Sequence, residues 1–133
     1  MKKELNSKKA PGAIGPYSQA VELPLGGKDM QGSLIFVSGQ LPIDPETGEM
    51  PREIKEQTRQ SIENIKAILA EAGATLDDVL KTTVYLSDMS LFGDMNAVYA
   101  EHFKAVYPAR AAFAVKELPK QALVEIEVVA FKG

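Results

Sequence analysis

Residues 107–131 read YPARAAFAVKELPKQALVEIEVVAF, two apolar stretches that each carry a charge out of keeping with their neighbours. Arg110 stands at the head of the first and Glu125 lies inside the second. Successive side chains of a strand point to opposite sides, so the second stretch sorts into two rows. Val124, Ile126, Val128 and Ala130 form an apolar row that suits a core, while Leu123, Glu125, Glu127, Val129 and Phe131 form a mixed one. A row too apolar for bare solvent and too charged for an interior fits a wet subunit interface with a site in it. The stretch therefore asks for a sheet covered on one face by the rest of the chain and left open on the other for a partner.

Upstream, Ile54, Ile62, Ile65, Ile68, Leu69 and Ala72 recur at helical spacing from about Glu53 to Ala72, and Gly73 stands where a left-handed cap closes such a helix. TLDD (75–78) has the form of a capping box for one short turn, and KTTVYLSD (81–88) has the β-branched and aromatic residues of a strand. Ser90 is placed to cap a second helix whose face carries Phe92, Met95, Tyr99, Phe103 and Val106. Pro108 ends that helix by pushing Tyr107 out of helical geometry. Nearer the N-terminus, YSQAVEL (17–23) and SLIFVSG (33–39) read as strands on either side of PLGGKDMQG (24–32), a long hairpin loop from Pro24 to Gly32. LPIDPETGEMP (41–51) is a connector, and the last two strands, about Ala111–Leu118 and Leu123–Phe131, are joined by the turn residues PKQA (119–122). The predicted order is ββαβαββ, and right-handed crossovers put both helices on the same face of one mixed sheet.

The chain has 133 residues, 45% hydrophobic and 25% charged, which suits one globular domain spanning 1–133 whose core buries roughly two-thirds of the unfolded surface. A net charge of -3 provides no positive field to gather phosphate backbones, so nucleic acid is not an expected partner. Without cysteine there is neither a disulfide framework nor thiolate chemistry, and the single histidine, His102, in no CxxC or HExxH pattern, leaves no recognisable metal site. The lysine-bearing start lacks the apolar run of a secretory signal, and no later segment approaches ~20 unbroken apolar residues, so a cytoplasmic protein with no membrane partner is expected.

Four segments carry a resemblance to a known family: APGAIGPYSQA (10–20), FVSGQLPIDPETGE (36–49), QTRQSIENIKAILAEAGATLDDVLKTTVYLSDM (57–89) and YPARAAFAVKELPKQALVEIEVVA (107–130). Together they resemble the RidA group of the reactive intermediate deaminase, or YjgF, family, most specifically through P-A-R at 108–110 followed by V-E-I at 124–126. The resemblance implies a chorismate-mutase-like α+β fold, a mixed sheet with two helices on one face, assembled as a homotrimer with sites in clefts between subunits. It implies hydrolysis of 2-imino acids such as 2-iminobutanoate and 2-iminopropanoate, and of their enamine tautomers, released by pyridoxal-phosphate enzymes. Ammonia and a 2-oxo acid are the products, and no cofactor or metal is needed.

A small 2-imino acid sets a carboxylate beside an electrophilic C=N carbon, so its enzyme needs an anion clamp, a water and groups that manage protons. The planar guanidinium of Arg110 can grip a carboxylate through two charge-assisted hydrogen bonds; a structural ion pair with Glu125 or Glu127 is the plainer alternative. The resemblance assigns Glu125 to the catalytic water. Desolvation would raise its pKa and a nearby Arg110 would lower it, and the sequence does not say which prevails. The resemblance also places Tyr17 at the cleft, Ser38 and Gly39 at the ligand carboxylate, and Asn96 near the pocket, although a strand tyrosine, a strand-end serine and an exposed helical asparagine are the bland accounts. Ala112 stands where many relatives have cysteine, so only main-chain groups are on offer there. His102 is expected to be a surface residue. A different class of function fits the same pocket: a non-enzymatic trimer that binds small carboxylates, or holds unfolded clients as a chaperone.

Overall fold

Burial alternates along the last strand, β6 (Val124–Lys132), as the two rows require: Val124, Ile126, Val128 and Ala130 are buried, and Glu125, Glu127, Val129 and Phe131 are half-buried. In the computed structural model, which describes residues 1–29 and 31–133, this strand lies inside a six-stranded sheet. Its other strands are β1 (Lys3–Leu5), β2 (Ala20–Gly26), β3 (Gln31–Gln40), β4 (Val79–Leu86) and β5 (Ala109–Ala114), and the helices are α1 (Ile54–Ala70) and α2 (Phe92–His102). The sheet order is β1-β2-β3-β6-β4-β5, antiparallel throughout except for the parallel pair β4 and β5. Among the described residues no helix is long and apolar enough to cross a membrane.

Both helices cover one face, as the crossovers demand. Ile54, Ile62, Ile65, Ile68 and Leu69 of α1 join Met95 and Tyr99 of α2 and the buried row of β6 in one core cluster, giving an α+β fold. Burying a side chain of this size contributes about 1.5 to 3 kcal/mol, so the stripe on α1 anchors that face. Gly73, at φ +71, supplies the left-handed residue that follows the helix, and Thr75 with Asp78 forms the expected capping box of a 3₁₀ turn. Among the described residues the opposite face has no helix, and it carries Leu23, Phe36, Phe113 and the mixed row of β6.

Several expectations are corrected. The strands β5 and β6 do not form a ribbon with each other, because β4 lies between them. The α2 crossover returns the chain parallel to β4 at the sheet edge, and Lys120 and Gln121, both with left-handed φ (56 and 60), turn it back toward the middle. The predicted Ala111–Leu118 strand is β5 over Ala109–Ala114, and a short strand not foreseen, β1, flanks β2. The long Pro24–Gly32 loop is mostly strand: Pro24, Leu25 and Gly26 pair with Ser33, Gly32 and Gln31, and residues 27–29 are not strand, while Met30 lies outside the described residues. Pro24 fits because β1 reaches only Ala20–Glu22, so beyond it β2 is an edge strand where a missing N–H leaves no gap in a ladder. Asp88, not Ser90, caps the turn into α2, its carboxylate accepting from the Ser90 N–H at 2.8 Å. That helix ends at His102, before Pro108 can act, so Val106 is not on its face but 97% exposed.

Candidate functional site

The loops beside the β3 and β6 pair enclose a cleft of about 800 Å³. Tyr17, Ser38, Gly39 and Glu125, all singled out in the sequence, line it. The backbone brings them together through a bulge. Val37 pairs with Val128 but Gln40 pairs with Ile126, so β3 carries one residue more than β6 at Ser38–Gly39. An extra residue bends a strand and re-aims its side chains, here toward the cleft.

Gly39 matters through what it lacks. A Cβ built on it would lie 2.9 Å from Glu125 Cδ and 3.2 Å from Cγ, closer still to one carboxylate oxygen, so the carboxylate occupies the space a side chain would fill. Glu125 accepts no hydrogen bond among the described residues. Burial pushes its carboxyl above the ordinary glutamate range, and the charge of Glu127 pushes the same way. The contest left open in the sequence thus goes to desolvation within one chain, since Arg110 lies across the sheet.

Tyr17 is 53% exposed at the cleft, and its hydroxyl accepts from the Ile14 N–H at 3.3 Å. The Ser38 hydroxyl donates to the Ser18 carbonyl at 2.6 Å, so its proton is committed and its lone pairs suit a donor such as an imine N–H, not the ligand carboxylate expected there. Glu127, Asp44 and Lys120 line the same cleft and were not picked out beforehand as site residues. Glu127 was visible as the second acid of the mixed row. Asp44 and Lys120 sit in turns whose placement depends on distant contacts.

Arg110, Asn96 and Ala112 are elsewhere. In β5, Arg110 and Ala112 pair with Thr82 and Val84 of β4, both buried, so their side chains point to the helix face. Glu125 pairs with Tyr85 and points to the open face. Within one subunit Arg110 and Glu125 are therefore on opposite sides of the sheet, and the expectation that they converge on one crevice is not met by a single chain. The same register rules out an ion pair of Arg110 with Glu125 or Glu127 within one subunit. Arg110 instead donates to Asn96 Oδ1 at 2.7 Å and stacks over the rings of Tyr99 and Phe92, 4.7 and 5.4 Å from their centroids. Among the described residues no carboxylate pairs with it, so an exposed, pre-oriented cation is presented at the sheet edge. Asn96 is half-buried and orients it, which corrects the exposed-asparagine account. Ala112 packs against the core, and β5, with one neighbour only, leaves half of its main-chain groups unpaired.

Three buried carboxamides fasten the segments around the cleft, a role that sequence reasoning missed. Gln19 holds the N-terminal segment, donating to the carbonyls of Ser7 and Pro11 at 3.1 and 2.7 Å and accepting from the Ser7 N–H at 2.6 Å. Asn64 on α1 donates to the Leu41 and Ile43 carbonyls at 3.1 and 3.0 Å. Gln57 donates to the Pro51 carbonyl at 2.7 Å and accepts from the Leu123 N–H at 2.8 Å. The available signal was polar residues at 57 and 64, beside the apolar stripe of a helix. His102 is half-buried rather than on the surface; its Nδ1 is 3.0 Å from the Val98 carbonyl, away from the cleft. Among the described residues no three potential ligands gather to hold a metal ion.

A family model described as Endoribonuclease L-PSP matches residues 7–132. The chain is 54% identical over 132 residues to a RutC family protein of Pyrococcus abyssi, covering 98% of each. It is 43% identical over 136 residues to an Escherichia coli K12 protein named "Putative reactive intermediate deaminase TdcF", covering 100% of this chain and 99% of that one. The crystal structure of E. coli TdcF with bound serine superposes with a TM-score of 0.85 at 41% identity, covering 98% and 99% of the two chains.

Proposed function

The chain belongs to the Endoribonuclease L-PSP family, and from that premise we propose that it is a reactive intermediate deaminase. It hydrolyses small 2-imino acids, 2-iminobutanoate and 2-iminopropanoate among them, in clefts shared between subunits of a homotrimer. The observation that carries this reading is the division of labour across the sheet. A seated, partly desolvated carboxylate lines a cleft on one side, and an unpaired guanidinium with a fixed orientation waits at the edge strand on the other. Each is half of a site for a carboxylate-bearing electrophile. A second copy that sets its β5 edge against this cleft brings the halves together, and the open, partly apolar sheet face offers the surface for such a copy.

In that cleft Arg110 of one subunit grips the substrate carboxylate, with Asn96 holding the guanidinium in place and main-chain groups near Ala112 within reach. Glu125 of the neighbour takes a proton from water as the oxygen bonds to the imine carbon, and the C=N electron pair moves to nitrogen. Glu125 returns that proton to the nitrogen to give the neutral carbinolamine, then takes the hydroxyl proton and delivers it to the nitrogen as the C–N bond breaks, so that ammonia leaves and C=O forms. Tyr17 shields the imine from bulk water and Ser38 accepts a hydrogen bond. A raised carboxyl pKa makes Glu125 a better proton acceptor near neutrality. Positioning and electrostatics suffice for a reaction that already proceeds in water.

The test is loss of imine absorbance, with imine generated in situ by a dehydratase, for wild type and Arg110→Ala. Acceleration by wild type and its loss in the variant are expected; equal acceleration by both rules out the clamp. The bound serine of E. coli TdcF, a small carboxylate, favours a second reading as a non-enzymatic carboxylate binder. Thermal stabilisation by 2-oxo acids with no hydrolysis of any imine decides for it. The family description mentions endoribonuclease activity, but Asp44, Glu125 and Glu127 on the cleft walls and a net charge of -3 oppose a phosphate backbone.

A further inference from the structure

Two carboxylates, Glu125 and Glu127, share one face of β6 and one cleft, yet their surroundings differ. The Tyr85 hydroxyl donates to Glu127 Oε1, whereas Glu125 has no donor among the described residues and rests against bare Gly39. Tyr85 is itself fixed by the sheet. Its backbone lies opposite Glu125, its ring meets Phe113 edge-on at 5.5 Å, and its hydroxyl reaches diagonally to the next acid on that face. The hydrogen bond to Glu127, followed by burial, pushes the phenol pKa up to about 12, so Tyr85 remains a donor at any pH where carboxyls titrate.

We propose that Tyr85 and Glu127 form a positioning pair for Glu125: the tyrosine fixes a second carboxylate beside it, and this makes Glu125 the carboxyl that accepts the proton of the attacking water. The proposal rests on the deaminase reading of the cleft. When two acids sit together and only one has a donor, their environments divide the roles between them. The other groups facing Glu125 do not copy that arrangement. Asp44 follows β3, Lys120 precedes β6 and Tyr17 precedes β2, all along the cleft walls, and none hydrogen-bonds either acid among the described residues. Lys81 of β4 borders the adjoining hollow of about 200 Å³ that Glu127 also lines. A neighbouring subunit's Arg110 would lower the Glu125 pKa in wild type and variants alike, so comparison between them isolates Glu127.

The experiment follows glutamate side-chain carboxyl resonances against pH in wild type, Glu127→Gln, Tyr85→Phe and the double variant, alongside the pH dependence of kcat/KM for an imine generated in situ. Glutamine keeps an acceptor for Tyr85 and removes only the charge. In Glu127→Gln the Glu125 midpoint should move to lower pH, with the acidic limb of kcat/KM moving alongside. At the pH where wild type has half its maximal kcat/KM, this variant should retain more than half of its own. Tyr85→Phe should alter the Glu125 titration, while the double variant should shift it no further than Glu127→Gln alone, because the tyrosine acts only through Glu127.

An unmoved Glu125 midpoint in a folded Glu127→Gln protein overturns the proposal, and imine hydrolysis by wild type then leaves the deaminase reading standing. Independent shifts that add in the double variant also overturn it, since Tyr85 would then act on Glu125 directly. A wild type that hydrolyses no imine, whatever its midpoints, defeats the deaminase reading and with it the catalytic purpose of the pair, so the two failures are separately visible.

Discussion

A hydrogen atom at position 39 decides where the Glu125 carboxylate rests. Gly39→Ala would put a methyl group 2.9 Å from Glu125 Cδ, so the side chain must swing away while the strand beneath it persists. A displacement of this size in a reacting group costs on the order of 100-fold in rate. The expected result is a fall of that order in kcat/KM with an unchanged far-UV circular dichroism spectrum; full activity would show that the seat is irrelevant. Where no neighbouring Arg110 offsets its burial, Glu125 should also weaken the fold at neutral pH. Its folded pKa lies above the unfolded value, so its favourable contribution is complete below the ordinary glutamate pKa and is lost as pH rises through the raised one. In an Arg110→Ala background Glu125→Gln is therefore expected to raise Tm at pH 7, a difference that shrinks as the pH falls into the ordinary carboxylate range, while Glu125→Gln alone loses imine hydrolysis. Thermal melts across that range check the sign. Arg110 and Glu125 were legible in the sequence because each is a charge in an apolar strand. Gly39 was reached only through the family resemblance; its role as a seat for Glu125 was not legible, nor was Tyr85, since a glycine's missing methyl and a tyrosine's diagonal partner have meaning only once a register exists.

Elements with local causes were read well, and those with distant causes poorly. The α1 stripe repeats within the reach of its own turns, so Ile62, Ile65, Ile68 and Leu69 announced a buried face that the structure supplies. The neighbours of β5 depend instead on which strand closes the sheet edge, a choice made by the α2 crossover and the left-handed turn at Lys120 and Gln121. The bulge at Ser38–Gly39 is likewise set by pairing with β6, and nothing in SLIFVSG marks it. Asn64 shows how a helix holds a loop it never joins. Its amide satisfies the Leu41 and Ile43 carbonyls and its oxygen accepts from Gln60 at 2.9 Å, all from a fully buried position. Asn64→Ala leaves those carbonyls without a donor, at a cost of about 1 to 3 kcal/mol. Urea denaturation should show a lower midpoint, and amide exchange should quicken over the connector at 41–49, where Asp44 and Glu49 close a turn at 2.8 Å. Unchanged exchange there would mean that the connector holds itself.

At the scale of the whole molecule, the sheet divides the proposed site into complementary halves, and the open face explains why a second copy is wanted. Phe36 and Phe113 are 48% and 46% exposed on that face, beside the half-buried acids of β6. Large apolar groups left in water around charged ones are costly for a monomer and ordinary for an interface. The mixed row was legible from alternation alone, but the side of the sheet taken by Arg110 was not, because it follows from the parallel register with Thr82. If each cleft draws Arg110 from one subunit and Glu125 from its neighbour, chains carrying Arg110→Ala and chains carrying Glu125→Gln are inactive apart yet complementary together. Co-expressed in equal amounts and freely mixed around a closed ring, they place an intact arginine beside an intact glutamate in about one quarter of the clefts. Imine hydrolysis should therefore return to about a quarter of the wild-type rate in the mixture and to none in either variant alone. Mixed trimers seen by native mass spectrometry but without activity would mean that the two side chains never meet across a subunit boundary, and the shared cleft would fall with that result.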